Sequence, residues 1–231
     1  MADFQTVILK ENRVLAAKFH HLILEFPQPL EFSPGQYLCL KVAAQKVNSY
    51  SIAGKIDPTH IELLIDTAPG GPGSRYVEAV KPGEQLSFLG PLGKFVLHPD
   101  DGSLRMLFLG TGCGIAPLKC MIESALKEQK ITRPIKLYFG LRYSSDIFWE
   151  DHFIDLNRQY PHFTFTLCLS KPDTLWQGAS GHVTDLLLKD FPQMGDFSAY
   201  LCGGSAMMAE ATNILTSLGC PPERIYTEKY S

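Results

Sequence analysis

The sequence predicts two domains, an antiparallel β-barrel or sandwich followed by a doubly wound α/β parallel sheet. First, residues 1–98 run as short strand-like pieces punctuated by proline and glycine. Second, from residue 104 to residue 231 strand-like runs alternate with helical periodicity, the mark of a parallel sheet. Third, "LGTGCGIAPLKCMI", residues 109–122, sets Gly110, Gly112 and Gly114 between an apolar strand and a helix.

Taken in order, "RVLAAKFHHLILEF", "QYLCLKV", "SYSIA", "HIELLID" and "EQLSFLG" are rich in β-branched, aromatic and aliphatic residues. Pro34-Gly35, Pro82-Gly83, Gly90-Pro91 and Gly93 separate them as turns. One helix is expected from Ser74 to Val80, with Ser74 as its N-cap. The polar stretch "LHPDDGSLR" marks the boundary. "LRMLFLG" is then a compact apolar strand. Ile115, Leu118, Met121, Ile122, Ala125 and Leu126 step by three and four along one helix face. Strands at "IKLYFGL", "FTFTLCLS", "SAYLCGG" and "RIYTEKY" alternate with helices at "HVTDLLLKDF" and "SAMMAEATNILTSLG".

The chain has 231 residues, 45 % hydrophobic and 19 % charged, with net charge −3. This composition is that of a globular protein and gives no basic excess for nucleic acid or an acidic membrane. The start lacks the zones of a signal peptide, and no apolar run approaches the ~20 residues that span a bilayer. A cytoplasmic protein with no membrane span is expected. Six cysteines are scattered with no C-x-x-C and no cluster-ligand spacing, so most read as reduced, buried thiols. The seven histidines show no ligand spacing, and no metal site is expected. Glu62, Asp66, Asp146, Glu150 and Asp151 read as solvated charges.

A glycine turn between a parallel strand and a helix suits phosphate. Backbone N–H groups there point outward with partial positive charge, and glycine lets the oxygens approach. The bland alternative is a tight turn with no ligand. The turn reads G-T-G-C-G-I-A-P rather than G-x-G-x-x-G. The next strand ends Gly140-Leu141-Arg142, with no acid to take ribose hydroxyls, so an ordinary dinucleotide dehydrogenase is disfavoured. Gly54-Lys55 and Gly93-Lys94 lack the following Ser or Thr of a P-loop.

With these motifs in place, the chain resembles the ferredoxin–NADP reductase superfamily, most of all its NAD(P)H–flavin reductases and oxygenase reductase domains. "SPGQYLCL", "NSYSIA", "GGPGSRYV", "GPLGKF", "GTGCGIAP", "YLCGGSAMM" and "ERIYTEKY" stand in the family's order over nearly the whole chain. The resemblance implies a Greek-key flavin barrel (residues 1–98) and an NAD(P)-binding domain (residues 104–231). It also implies hydride transfer from NADH or NADPH to FAD, FMN or free flavin. Tyr50 is then expected against the flavin, and Ser51 near its reactive nitrogen. Gly73 and Ser74 hold its phosphate. Gly110, Thr111, Gly112 and Gly114 cradle the nicotinamide cofactor's pyrophosphate, and Cys202 and Gly203 face the nicotinamide. Glu228 and Tyr230 border the contact of the two rings. Blandly, Cys202 is a buried strand cysteine and the terminal pair is a frayed end.

Asn48 departs from the family's arginine, which weakens the expected grip on flavin phosphate, with Arg75 as a substitute. Arg142 and Ser170-Lys171 suit a 2′-phosphate or are plain surface charges, with a lean to NADH. The rival readings are a reductase subunit for a separate iron–sulfur protein or oxygenase, and a binding module that has lost flavin affinity.

Overall fold

The computed structural model describes residues 4–229. Six strands, β1 (Gln5–Ala16), β2 (Phe19–Glu25), β3 (Tyr37–Ala43), β4 (Lys46–Asp57), β5 (His60–Asp66) and β6 (Gln85–Leu92), close an antiparallel barrel in the order β1-β2-β5-β4-β3-β6. Strands β3 to β5 form a meander, and β6 returns beside β3, which is a Greek key. Leu9, Leu22, Leu24, Leu38, Leu40, Ile52, Leu63 and Phe88 fill the interior. The helix α1 (Pro72–Ala79) adds Val77 to that core.

The run "RVLAAKFHHLILEF" is not one strand but the end of β1, the turn Ala17-Lys18 and all of β2. That hairpin carries none of the Asn-Gly or Gly signals that mark two-residue turns, so sequence patterning passes over it. The N-cap of α1 is Gly71, with Pro72 at N1. Ser74 is therefore in the first turn and not the cap, because a proline pre-set for helix lets the helix begin two residues earlier.

The second sheet is parallel, with strands β7 (Arg105–Thr111), β8 (Ile135–Leu141), β9 (Phe163–Leu169), β10 (Ala179–Ser180), β11 (Phe197–Gly203) and β12 (Ile225–Lys229) in the order β10-β9-β8-β7-β11-β12. Helices α2 (Ile115–Glu123) and α3 (Glu150–Gln159) cover one face, and α4 (Val183–Asp190) and α5 (Ser205–Ser217) the other. Along β11, Tyr200 and Cys202 enter the first core while Phe197, Ala199 and Leu201 enter the second, the period-two split of a strand buried on both faces. From β7 the chain goes one way to β8, and its neighbour on the other side is β11, so a crevice opens at their carboxyl ends.

Helix α3 has no counterpart in the sequence reading. Its buried residues are Phe153 and Leu156, too few apolar positions to stand out, and Glu150 and Asp151 sit in its first turn, where the helix dipole favours acids. Asp146 is buried, not solvated. Its carboxylate accepts from the backbone N–H of Tyr143 at 3.2 Å and caps a short turn. Glu62 is also largely buried, within an ion cluster between the two units. Cys120, Cys168, Cys202 and Cys220 are buried, and Cys39 and Cys113 are half-buried. The barrel rests on the α2–α3 face of the sheet through Phe19, Ala53, Leu64 and Phe95, with Phe19 and Phe148 ring centroids 4.6 Å apart.

Candidate active site

Strand β4 is the spine of the site. Asn48, Tyr50 and Ile52 share one face of it: Ile52 lies in the barrel core with Tyr50 packed against it, and Asn48 and Tyr50 reach a cleft of about 820 Å³. That size is within the ~300–1,000 Å³ typical of small-molecule sites. Ser51, Gly73, Ser74, Cys113 and Glu228 share its walls. Asn48 donates its amide N–H to the Tyr50 hydroxyl at 3.4 Å. The α-carbon of Gly73 packs under both groups, and a methyl there would strike the Asn48 amide and the Tyr50 oxygen. Burial pushes the Tyr50 hydroxyl above its usual pKa, outweighing the Asn48 hydrogen bond that pulls it down. Tyr50 therefore stays a neutral phenol.

Ser51 Oγ donates to Glu228 Oε2 at 3.1 Å, bridging the barrel and β12. Burial raises the Glu228 carboxyl above the ordinary carboxylate range, and the Ser51 hydrogen bond only partly offsets it. Burial likewise pushes the Cys113 thiol up to about 11, so it is no thiolate at neutral pH. Cys113, Asp66, Tyr37, Lys46 and Lys229 line this cleft without having been read as site residues. Cys113 could have been found from its place inside the glycine turn. Tyr37 stands in "SPGQYLCL" and Lys229 in "ERIYTEKY", while Asp66 and Lys46 lie at the ends of barrel strands with no motif to mark them. Arg75 points away, donating to the Gly70 carbonyl at 2.7 Å. Tyr230 lies outside the described residues.

The glycine turn forms a short 3₁₀ segment, Gly112–Gly114, ahead of α2. Gly112 has φ +55°, a left-handed conformation that costs little only for glycine. Gly114 packs directly on the end of β11, where a Cβ would collide with the Cys202 carbonyl and approach the Gly203 nitrogen to 2.9 Å. Thr111 and Gly112 open onto a second cleft of about 490 Å³, which also contains Arg142, Ser170, Lys171 and His182. Gly110, Gly114, Cys202 and Gly203 are buried and shape the crevice from beneath rather than lining either cleft. Cys202 pairs in register with Gly110 on one side and Glu228 on the other. Asp66 lines both clefts, so the two adjoin.

The residues of the first cleft fit a flavin. Tyr50 offers a flat face for a ring. The first-turn N–H groups of α1 at Gly73 and Ser74 suit a phosphate, with Lys46 and Lys229 as nearby positive charge. The turn before α2 offers the same chemistry to a pyrophosphate in the second cleft.

Two family models match the chain: an oxidoreductase FAD-binding domain over residues 6–97 and an oxidoreductase NAD-binding domain over residues 108–213. The reductase subunit of an aromatic O-demethylase from Amycolatopsis sp. is 31 % identical, over 98 % of this chain and 69 % of its own length.

The chain belongs to the ferredoxin–NADP reductase superfamily.

As a member of this superfamily of FAD- and NAD(P)-dependent oxidoreductases, it is also 35 % identical to the ferredoxin–NAD(P)(+) reductase component of the naphthalene 1,2-dioxygenase system from Pseudomonas putida. That match covers 90 % of this chain and 63 % of the relative, so the chain spans under two thirds of that protein. The crystal structure of Amycolatopsis cytochrome P450 reductase superposes with a TM-score of 0.89 at 28 % identity, over 99 % of this chain and 71 % of that one. Among the described residues no helix is long and apolar enough to cross a membrane.

Proposed function

We propose that this chain is an electron-transfer reductase that takes a hydride from NAD(P)H onto FAD and passes electrons to a separate protein acceptor, an iron–sulfur protein or an oxygenase. The observation that carries this reading is the junction of the two clefts at Asp66, with Ser51 and Glu228 joined beside it. Relatives named as reductase components of a dioxygenase system and of an O-demethylase support the choice of acceptor class. A cytoplasmic setting is part of the proposal, supported by the buried thiols of Cys120, Cys168 and Cys220.

A bound flavin would supply the chemistry of hydride acceptance and onward electron release. The chain's own residues orient and tune. Tyr50 flanks the ring, and the Ser51 hydroxyl, which both donates and accepts, serves the reactive nitrogen as its proton load changes. Gly73 and Ser74 hold a flavin phosphate, and the Gly110–Gly114 turn holds the pyrophosphate of the nicotinamide nucleotide. Cys202 and Gly203 form the floor of the nicotinamide side. Glu228 would set a carboxylate at the edge where the nicotinamide gains positive charge.

The test is to purify the protein, record its absorption spectrum, release and identify any flavin, and assay NADH and NADPH oxidation with a one-electron protein acceptor. A yellow protein that reduces such an acceptor supports the reading. A colourless protein that oxidises NADH only with added flavin makes flavin a substrate, and one inert with FAD, FMN and riboflavin removes the enzyme assignment.

A further inference from the structure

Lys119 is a charged residue on the apolar face of α2, and it is almost fully buried, with 5 % of its side chain exposed. Its ammonium carries three N–H donors, and three acceptors surround it. They are the Glu62 carboxylate on β5, Glu123 Oε2 at 3.0 Å one turn along α2, and the Ala53 carbonyl on β4 at 3.5 Å. Glu62 in turn meets His21 Nε2 on β2 at 2.6 Å. The Trp149 ring lies 5.1 Å from the ammonium and edge-on to His21, closing the junction from the α3 side. Gly54, on β4, leaves the room required: a Cβ there would strike Glu62 Oε1 and come within 3.1 Å of Lys119 Nζ.

Burial pushes the Glu62 carboxyl up, but the hydrogen bond with His21 and the charge of Lys119 outweigh it and hold it at about 2. Burial likewise works against the Lys119 charge, and Glu62 and Glu123 overcome it. The pair is therefore ionised throughout the neutral range.

Its placement gives it a role beyond cohesion. Helix α2 begins on the glycine turn, and Lys119 stands five residues past Gly114, about 7.5 Å along the helix. Ala53 stands two residues past Ser51, about 6.6 Å along β4. The junction thus ties the strand that carries Tyr50 and Ser51 to the helix that carries the pyrophosphate turn. Apart from the Ser51–Glu228 hydrogen bond, the rest of the contact between barrel and sheet is largely apolar, as at Phe19 and Phe148, and apolar contact has no preferred direction. A buried ammonium with all three donors engaged fixes one register. Such a pair adds little net stability, since desolvation offsets its attraction, so a geometric role accounts for it better than a cohesive one.

We propose that the Lys119–Glu62 junction is a latch that fixes the distance between the flavin strand and the pyrophosphate turn, which makes Lys119 a positioning residue for hydride transfer. This deepens the reductase reading and rests on it. The test uses flavin-loaded protein and follows hydride transfer from NADH by stopped-flow loss of flavin absorbance. It compares wild type with Lys119→Met, Lys119→Arg and Gly54→Ala, the last pushing the pair apart without removing a charge.

Hydride transfer is expected to slow about ten- to a hundred-fold in Lys119→Met and Gly54→Ala, as misplacement of about 1 Å does. Lys119→Arg should recover part of the rate. Nucleotide KM and flavin Kd are expected to stay within about threefold, because each cofactor's own contacts survive. Folded variants that reduce flavin at the wild-type rate overturn the latch. If no variant folds, the junction is structural and the positioning role falls. A wild type inert with every nicotinamide and flavin overturns the reductase reading itself, a result distinct from active wild type with equally active variants.

Discussion

Ser51 Oγ donates to Glu228 Oε2 at 3.1 Å, so a barrel strand and the last described strand of the sheet, 177 residues apart, share one hydrogen bond in the wall of the first cleft. Burial raises the Glu228 pKa. An ionised carboxylate at the ring contact stabilises the positive charge that the nicotinamide gains as hydride leaves. Hydride transfer should therefore rise with pH through an ionisation above the ordinary carboxylate value. Glu228→Gln should remove that ionisation and slow the step about tenfold, about 1.4 kcal/mol. Rapid-mixing rates between pH 4.5 and 8 check this; a pH step that persists in the variant assigns it to another group.

Where the family resemblance implies an arginine, Asn48 offers a neutral amide, and Arg75 bonds Gly70 outside the cleft. Asn48→Arg adds a charge-assisted contact to a flavin phosphate, of the kind that contributes ~1.5–3 kcal/mol. Flavin Kd, read by fluorescence titration, should fall about tenfold to a hundredfold. Unchanged affinity would show that the flavin phosphate lies elsewhere.

Arg142 and Lys171 line the second cleft together, and both are exposed enough to meet a ligand. If they meet a 2′-phosphate, replacing either by alanine should lower kcat/KM for NADPH about tenfold or more while sparing NADH. Equal loss with both nucleotides, or none with either, would rule out phosphate selection by these side chains.

Gly114→Ala should be costly for a reason unrelated to chemistry. The new methyl would overlap the backbone carbonyl of Cys202, which no rotamer change relieves. Overpacking of this kind costs about 1–3 kcal/mol. The melting temperature should drop by about 2–12 °C in a chain of this size, measured by calorimetry with and without nucleotide. Wild-type stability in the variant would mean that the end of β11 can move away from the turn.

The sequence by itself determined the two-domain order, the alternation that builds the parallel sheet and the residues of the glycine turn. Those features are local. Apolar period, a glycine's conformational freedom and a proline's fixed φ act within a few residues. It also marked Asn48, Tyr50, Ser51, Gly73, Ser74 and Glu228, which the fold gathers into one cleft. Tertiary structure alone decided how those pieces meet. Glu62 reads as a surface charge from its neighbours in sequence, and only the approach of Lys119 from 57 residues away and of His21 from 41 turns it into a buried partner. Asp66 joined the cleft walls in the same way. The physical reason is that burial and pairing depend on which strands close the barrel and which helix lands on it, and no short-range pattern records the energy of a contact between distant residues.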